Sequence, residues 1–344
     1  MSPAAENPLA LADPSLLVEA AVIGGQWCAA DDGATLVVED PATGRPVGTV
    51  PACGAAETRR AIAAAEAAFR AWRTVPAVER VRKISFTGST RVGAHLMRAS
   101  AGTRKKLSLE LGGNAPFIVF DDADLDLAVE GAMASKFRNA GQTCVCANRI
   151  LVQAGIHDAF VARLGARIAA QKVGPGTEPG VAIGPLINRA AAEKVYAHVA
   201  DALAKGARVV QQSVTSNEDG NFVAPLLLTG ATTDMRLANE ETFGPVAPVF
   251  RFETEAEAIA IANGTPYGLA AYFFTEDMHR AWRVGEALEF GMVGLNTGAI
   301  SMEVAPFGGV KQSGLGREGG YLGIAEYLEP KAFHMGGLRL TAPV

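Results

Sequence analysis

An α/β fold is what this sequence predicts: a doubly wound, mostly parallel sheet flanked by helices. Three observations carry it. Strand-like runs of β-branched and aromatic residues alternate with helix-periodic segments along the chain. The apolar share is 49% and the charged share 19%, enough to build a sizeable core. The 344 residues suit two domains or one large α/β domain.

Residues 35–50 read as two short strands around the turn Asp40-Pro41-Ala42-Thr43-Gly44. Residues 56–72 put Ile62, Ala65, Phe69 and Trp72 on one face of a helix. A strand over 81–87 leads through Gly88-Ser89-Thr90 into a helix from about Arg91 to Ala101. Such a turn presents free N–H groups at the positive end of a helix and suits a phosphate, although many α/β turns look the same. Strands follow at 107–111 and 116–120, then a helix from Asp121 to Phe137 opened by acidic residues. Further strands fall at 149–153, 207–211, 246–252, 269–274 and 291–296. Helices fall between them at 156–171, 189–204, 254–263 and 276–288. Residues 307–320 hold six glycines and read either as a loop beside a ligand or as a long surface turn.

Composition narrows the function. The net charge is -5 and no basic stripe is visible, which argues against nucleic acid. The four cysteines (Cys28, Cys53, Cys144 and Cys146) are too few for a disulfide scaffold, and a reducing compartment is expected. No Cys-x-x-Cys pair occurs and the five histidines are scattered, so no structural metal is expected. Glu6, Asp13 and Glu19 interrupt the N-terminal apolar residues, unlike a secretory signal, and no window suits a membrane span. The expectation is a cytoplasmic protein.

The chemistry concentrates in Asn139-Ala-Gly-Gln-Thr-Cys144-Val-Cys146. Upstream, Leu107-Ser-Leu-Glu110-Leu-Gly-Gly-Asn114 offers one carboxylate among apolar residues. A thiol and an isolated carboxylate are the parts of covalent catalysis at a carbonyl: the thiolate attacks and the carboxylate removes protons. Taken singly, a cysteine such as Cys144 is more often a small buried packing residue than a nucleophile, and Glu110 also suits an exposed strand edge.

Together these segments resemble the aldehyde dehydrogenase superfamily, most closely its succinate-semialdehyde dehydrogenase branch, over residues 17–79 and 81 to about 336. The resemblance implies an aldehyde-dehydrogenase-like fold with a Rossmann-type nucleotide-binding domain and a doubly wound catalytic domain. It makes Cys144 the nucleophile and Glu110 the general base. Phe86-Thr-Gly88-Ser89-Thr90, with Gly93, resembles the pyrophosphate turn, and Leu111 belongs to the same cofactor surface. Glu241-Thr-Phe243-Gly-Pro resembles the segment whose glutamate contacts a ribose and whose phenylalanine packs near the nicotinamide. Asn296 and Phe307 resemble substrate-side residues. Arg138 and Ser301 match residues that bind the far carboxylate of the substrate, a task for which the arginine fork is suited. By spacing alone Arg138 reads equally as a helix C-terminal cation; the resemblance favours the ligand. Cys146 becomes a redox partner able to close a strained, easily reduced disulfide with Cys144.

The pattern breaks at Arg80-Val81. Relatives carry several further βαβ units there, including a Pro-Trp-Asn-Phe motif that completes the oxyanion hole. A Lys-Pro segment for the adenosine ribose, a second carboxylate-binding arginine and the subunit-joining hairpin fall in the same gap. The expected organisation is therefore 1–110 as a truncated dinucleotide-binding domain, 111–311 as an intact catalytic domain and 312–344 as a C-terminal loop and oligomerisation segment. The strands at 81–87 and 107–111 would then carry an open edge. The expected activity is oxidation of an aldehyde, succinate semialdehyde first, with NAD or NADP. Two alternatives stand beside it: a cofactor-independent thiol esterase on Cys144 and Glu110, or an inactive interaction subunit. The family's homo-oligomer is in doubt without the hairpin.

Overall fold

The computed structural model describes residues 13, 16–72, 83–103, 105–213 and 221–336. The Arg80-Val81 junction and the side chains of Phe69 and Trp72 lie outside the described residues. Two hairpins open the chain: β1 (Ala21–Ile23) with β2 (Gln26–Cys28), and β3 (Thr35–Glu39) with β4 (Pro46–Pro51), both antiparallel. The turn at 40–44 forms as its residues dictate, with the Gly44 N–H donating to the Asp40 carbonyl at 2.8 Å. Helix α1 (Ala55–Trp72) follows.

β5 (Lys83–Thr87) leads into α2 (Thr90–Ser100), whose N-cap Ser89 accepts from the Val92 N–H. β6 (Lys106–Glu110) lies parallel to β5. β7 (Ala115–Val119) is buried at every position, and α3 (Leu125–Phe137) starts at Asp124, whose side chain caps the Leu127 N–H. β8 (Ala147–Gln153), α4 (His157–Ala169), α5 (Arg189–Ala204), β9 (Arg208–Gln212), β10 (Leu226–Thr229) and the short α6 (Arg236–Asn239) come next. Then follow β11 (Val246–Phe252), α7 (Glu255–Asn263), β12 (Ala270–Phe274), α8 (Met278–Ala287), β13 (Met292–Leu295), β14 (Gly314–Leu315) and α9 (Gly320–Ala325).

Seven strands form the main sheet in the order β13-β12-β7-β8-β11-β10-β9, parallel except for the β9–β10 pair. Its core is apolar and closed: Phe117, Ile118, Ile150, Leu151, Val249 and Ala271 have no exposed surface. The doubly wound expectation therefore holds for this sheet. β10 escapes the sequence reading, because Leu226–Thr229 is too short to show a period.

The expectation of an open edge on both strands of the smaller sheet needs correction. β6 is the central strand of a three-stranded sheet in the order β14-β6-β5. β14 comes from the C-terminal segment and pairs antiparallel, Gly314 opposite Glu110 and Leu315 opposite Leu109. Gly314, at φ +139, leaves no room for a Cβ against the Leu109 carbonyl. β5 keeps an outer side with no strand on it among the described residues, as does the two-residue β14. The C-terminal segment is also laced to this sheet by side chains: Ser85 Oγ meets Tyr327 Oη at 2.6 Å, and Lys106 Nζ donates to the Leu328 carbonyl at 2.9 Å.

Candidate active site

Sheet order creates the site. β7, β8 and β11 are neighbours, and the three segments just before them end up side by side: 110–113, 142–144 and 241–243. Facing them are the carboxyl ends of β5 and β6 in the smaller sheet, with Thr87-Gly88-Ser89 and Glu110. A cavity of about 630 Å³ lies between and is lined by residues from all these segments.

The turn that carries Cys144 is built from strain and anchors. After α3 the chain runs through Asn139 (φ 51°), Ala140 (φ 54°) and Gly141 (φ 77°), three consecutive left-handed residues. Two of them bear a Cβ, and such conformations persist only where the surroundings over-determine them. Gln142 supplies that hold: its Oε1 accepts from the Ile187 N–H at 2.9 Å and its Nε2 donates to the Pro185 carbonyl at 3.3 Å. A Cβ on Gly141 would overlap the Gly244 carbonyl, so glycine is required there. Tyr272 Oη donates to the Val145 carbonyl at 2.8 Å and fixes the turn from below.

Cys144 is half-buried and lines the cavity. Burial pushes its thiol above the usual value, and the charges of Glu241 and Glu110 push the same way. Glu110 also lines the cavity, is 4% exposed, and has no hydrogen-bond partner on either carboxylate oxygen. Burial, with repulsion from Glu318 that Arg317 partly offsets, raises its pKa to about 8. A carboxyl held near neutrality without partners is suited to take up a proton. The glycine-rich loop comes against it: a Cβ on Gly308 would lie 2.8 Å from Glu110 Oε1. The loop-beside-a-ligand reading of 307–320 thus gains Phe307, which lines the cavity and bridges to Glu318.

Gly88, Ser89, Leu111, Glu241 and Phe243 line the same cavity, as do Arg138 and Ser301. Glu241 Oε1 accepts from the Gly113 N–H at 2.9 Å. Burial raises its pKa against that bond and the charges of Lys194 and Lys136. Phe243 sits at φ 53°, another strained residue facing the cavity. Arg138 is the C-cap residue of α3 and is exposed on the cavity wall.

Three sequence-predicted residues lie elsewhere. Gly93 packs directly on Leu111 beside a second cavity; a Cβ there would come 2.5 Å from Leu111 Cδ2, so the close packing requires glycine. Asn296, at φ 51°, spends its amide on Thr275, accepting from its N–H and donating to its carbonyl, both at 3.0 Å. Cys146 is buried, with its thiol against the Lys136 carbonyl at 3.1 Å. Sequence reasoning missed Lys194. This lysine of α5 lines the cavity and lies 6.0 Å from the Phe243 ring centroid, and burial lowers its pKa. A lone lysine in an amphipathic helix carries no signal by itself. It also missed Gln142, whose anchoring contacts span 45 residues of sequence.

The turn at Gly88-Ser89, the α2 N-terminus and the Glu241 carboxylate form a surface that fits an anionic, hydroxyl-bearing cofactor: N–H donors for phosphate and an acceptor for sugar hydroxyls. Among the described residues no group of three His, Cys, Asp or Glu could hold a metal, and no helix is long and apolar enough to cross a membrane.

The sequence pattern of the Aldehyde dehydrogenase family matches residues 27–82 and 77–333, two stretches that overlap around the Arg80-Val81 junction. The chain is 59% identical over 256 residues to the NADP(+) succinate-semialdehyde dehydrogenase of Escherichia coli (strain K12), covering 74% of this chain and 53% of that protein. It is 58% identical over 258 residues to a 3-sulfolactaldehyde dehydrogenase of Pseudomonas putida, covering 75% and 53%. The chain thus spans about half the length of the curated relatives it matches. Among solved structures, a succinate-semialdehyde dehydrogenase from Burkholderia pseudomallei superposes with a TM-score of 0.82 at 41% identity, over 92% of this chain and 98% of that one.

Proposed function

The chain belongs to the aldehyde dehydrogenase family, and from that premise we propose that it oxidises an acidic semialdehyde to the dicarboxylate with NAD or NADP, succinate semialdehyde being the first candidate. The observation that carries this is the shared cavity of Cys144, Glu110, Arg138 and Ser301. Relatives named for succinate, glutarate and sulfolactaldehyde substrates all act on an aldehyde with a remote acidic group. Arg138 is the residue that meets that group, and Ser301 adds a hydroxyl to it.

The thiol of Cys144 attacks the aldehyde carbon and forms a hemithioacetal. A bound nicotinamide supplies the hydride acceptor. Glu110 takes the proton from the thiol and passes it to the hemithioacetal oxygen. That proton leaves to solvent as the hydride leaves, which gives the Cys144 thioester. Glu110, again ionised, then takes a proton from the water that releases the acid. Glu241 and Phe243 hold the nicotinamide end, and Gly88-Ser89 the phosphates. The missing Trp-Asn pair leaves one oxyanion donor unfilled, which costs about a hundred- to a thousandfold in rate. We propose the cytoplasm for it, because four cysteines in 344 residues are too few for a disulfide scaffold.

The test is turnover of succinate semialdehyde with NAD and with NADP, followed by nicotinamide absorbance. No reduced cofactor above the Cys144→Ala background would sink the proposal. The high pKa of Glu110 beside a thiol also suits cofactor-free ester hydrolysis. Hydrolysis of a nitrophenyl ester by a protein that binds neither dinucleotide would select that second reading.

A further inference from the structure

One face of α5 grips the turn that carries Glu241. Lys194, His198, Asp201 and Lys205 recur at the helical spacings that share a face. Each reaches into residues 234–242. Lys194 Nζ donates to the Glu241 carbonyl at 3.3 Å, and Lys205 Nζ to the Asp234 carbonyl at 2.6 Å. Asp201 Oδ2 accepts from the Arg236 N–H at 2.8 Å. His198 makes two contacts, one on either side of Glu241: Nε2 with Glu240 Oε2 at 3.1 Å and Nδ1 with Thr242 Oγ1 at 3.2 Å. The imidazole is fully buried and Thr242 is 1% exposed. One residue along α5, Val195 closes on Gly244, where a Cβ would come 2.5 Å from its Cγ2.

These contacts fix the hydrogens. Arg236 donates to both oxygens of Glu240, at 3.1 and 3.0 Å, and this bond holds the Glu240 carboxyl below its usual value. An ionised carboxylate only accepts, so His198 Nε2 carries a hydrogen. Burial keeps the ring neutral against the pull of Glu240, leaving Nδ1 as an acceptor. The Thr242 hydroxyl therefore donates to it. Flanked in this way, Glu241 faces the cavity, and Phe243 is held at a φ of 53° that a free turn would not keep.

We propose that His198 is a positioning residue: by locking Glu240 and Thr242 it holds the Glu241 carboxylate and the Phe243 ring in the conformation that meets a dinucleotide. This rests on the cofactor reading above. His198→Phe keeps a buried ring and removes both hydrogen bonds; His198→Asn returns an acceptor for Thr242. In the full chain, His198→Phe should speed amide exchange over 240–243 about tenfold and weaken NAD or NADP binding by a similar factor, as the loss of one or two hydrogen bonds implies. Exchange in β7 and β8 should stay unchanged, and His198→Asn should fall between wild type and His198→Phe. Unchanged exchange over 240–243, or exchange raised equally in β7 and β8, would overturn the proposal. Should the wild type bind neither dinucleotide while 240–243 loosens as expected, the hold of His198 on the turn stands and the cofactor reading alone falls.

Discussion

Two cysteines two residues apart have opposite surroundings. Cys144 lines the cavity; Cys146 is packed behind the turn with its thiol on the Lys136 carbonyl. Cys144→Ala should abolish turnover and Cys146→Ala largely preserve it, and equal losses would refute the assignment. Glu110 makes a pH prediction. Its folded-state pKa is about 8 against an ordinary 4.5. Between those values the unfolded chain is ionised and the folded chain protonated, so folding takes up a proton and stability falls as pH rises through that window. Glu110→Gln should therefore raise the thermal midpoint at about pH 9 relative to wild type, and change it little at about pH 4. Thioester or ester hydrolysis, which needs the carboxylate, should rise as pH passes about 8 and lose that limb in the same variant. A pH profile that Glu110→Gln leaves intact would remove Glu110 from the mechanism.

At the scale of elements, the end of α3 brings Arg138 and the Cys144 turn to one cavity. Its C-cap residue Arg138 lies on the cavity wall, and the left-handed run 139–141 swings the chain from helix to the Cys144 turn. Removing one partner of an arginine–carboxylate contact costs about 2–5 kcal/mol when the pair is buried. Arg138 is exposed, so the smaller end of that range is expected. Arg138→Ala should raise KM for succinate semialdehyde well above any change for an uncharged aldehyde of similar length. Gly141→Ala should lower stability by at least about 1–2 kcal/mol, since a Cβ there meets both a left-handed backbone and the Gly244 carbonyl. Thermal denaturation measures it, and an unchanged midpoint would show that the turn relaxes freely.

Across the whole molecule, burial is uneven. The seven-stranded sheet holds the closed core, while the first hundred residues keep large apolar side chains on the surface, among them Val22, Trp27, Leu36, Val37 and Ile62. Exposed apolar patches of this kind mark association surfaces. We expect slower hydrogen exchange over 111–311 than over 16–72, and self-association that grows with concentration in analytical ultracentrifugation. Uniform protection and a strictly monomeric protein would contradict this. β6 is the exception within the N-terminal part, because β14 closes its edge and ties Glu110 to the C-terminal segment.

Sequence by itself determined what is local. Period and caps set α3, α4, α5 and α7 to within a few residues, Asp40 to Gly44 set its turn, and Cys144, Glu110 and Arg138 stood out only through the family resemblance of the segments that carry them. Only tertiary structure decided what depends on distance in the chain. Leu107-Ser-Leu-Glu and Ala115–Val119 look like consecutive strands, yet Gly112-Gly113 carries the chain from one sheet to the other. Gly93 reads as a phosphate glycine and is needed for Leu111; Asn296 reads as a substrate residue and holds Thr275. Lys194 and His198 look like solvated helix polars until β11 brings residues 240–243 against them. The reason is physical. A hydrogen bond between residues 44 apart leaves no periodicity, and a glycine is silent about whether a ligand or a leucine needs its space.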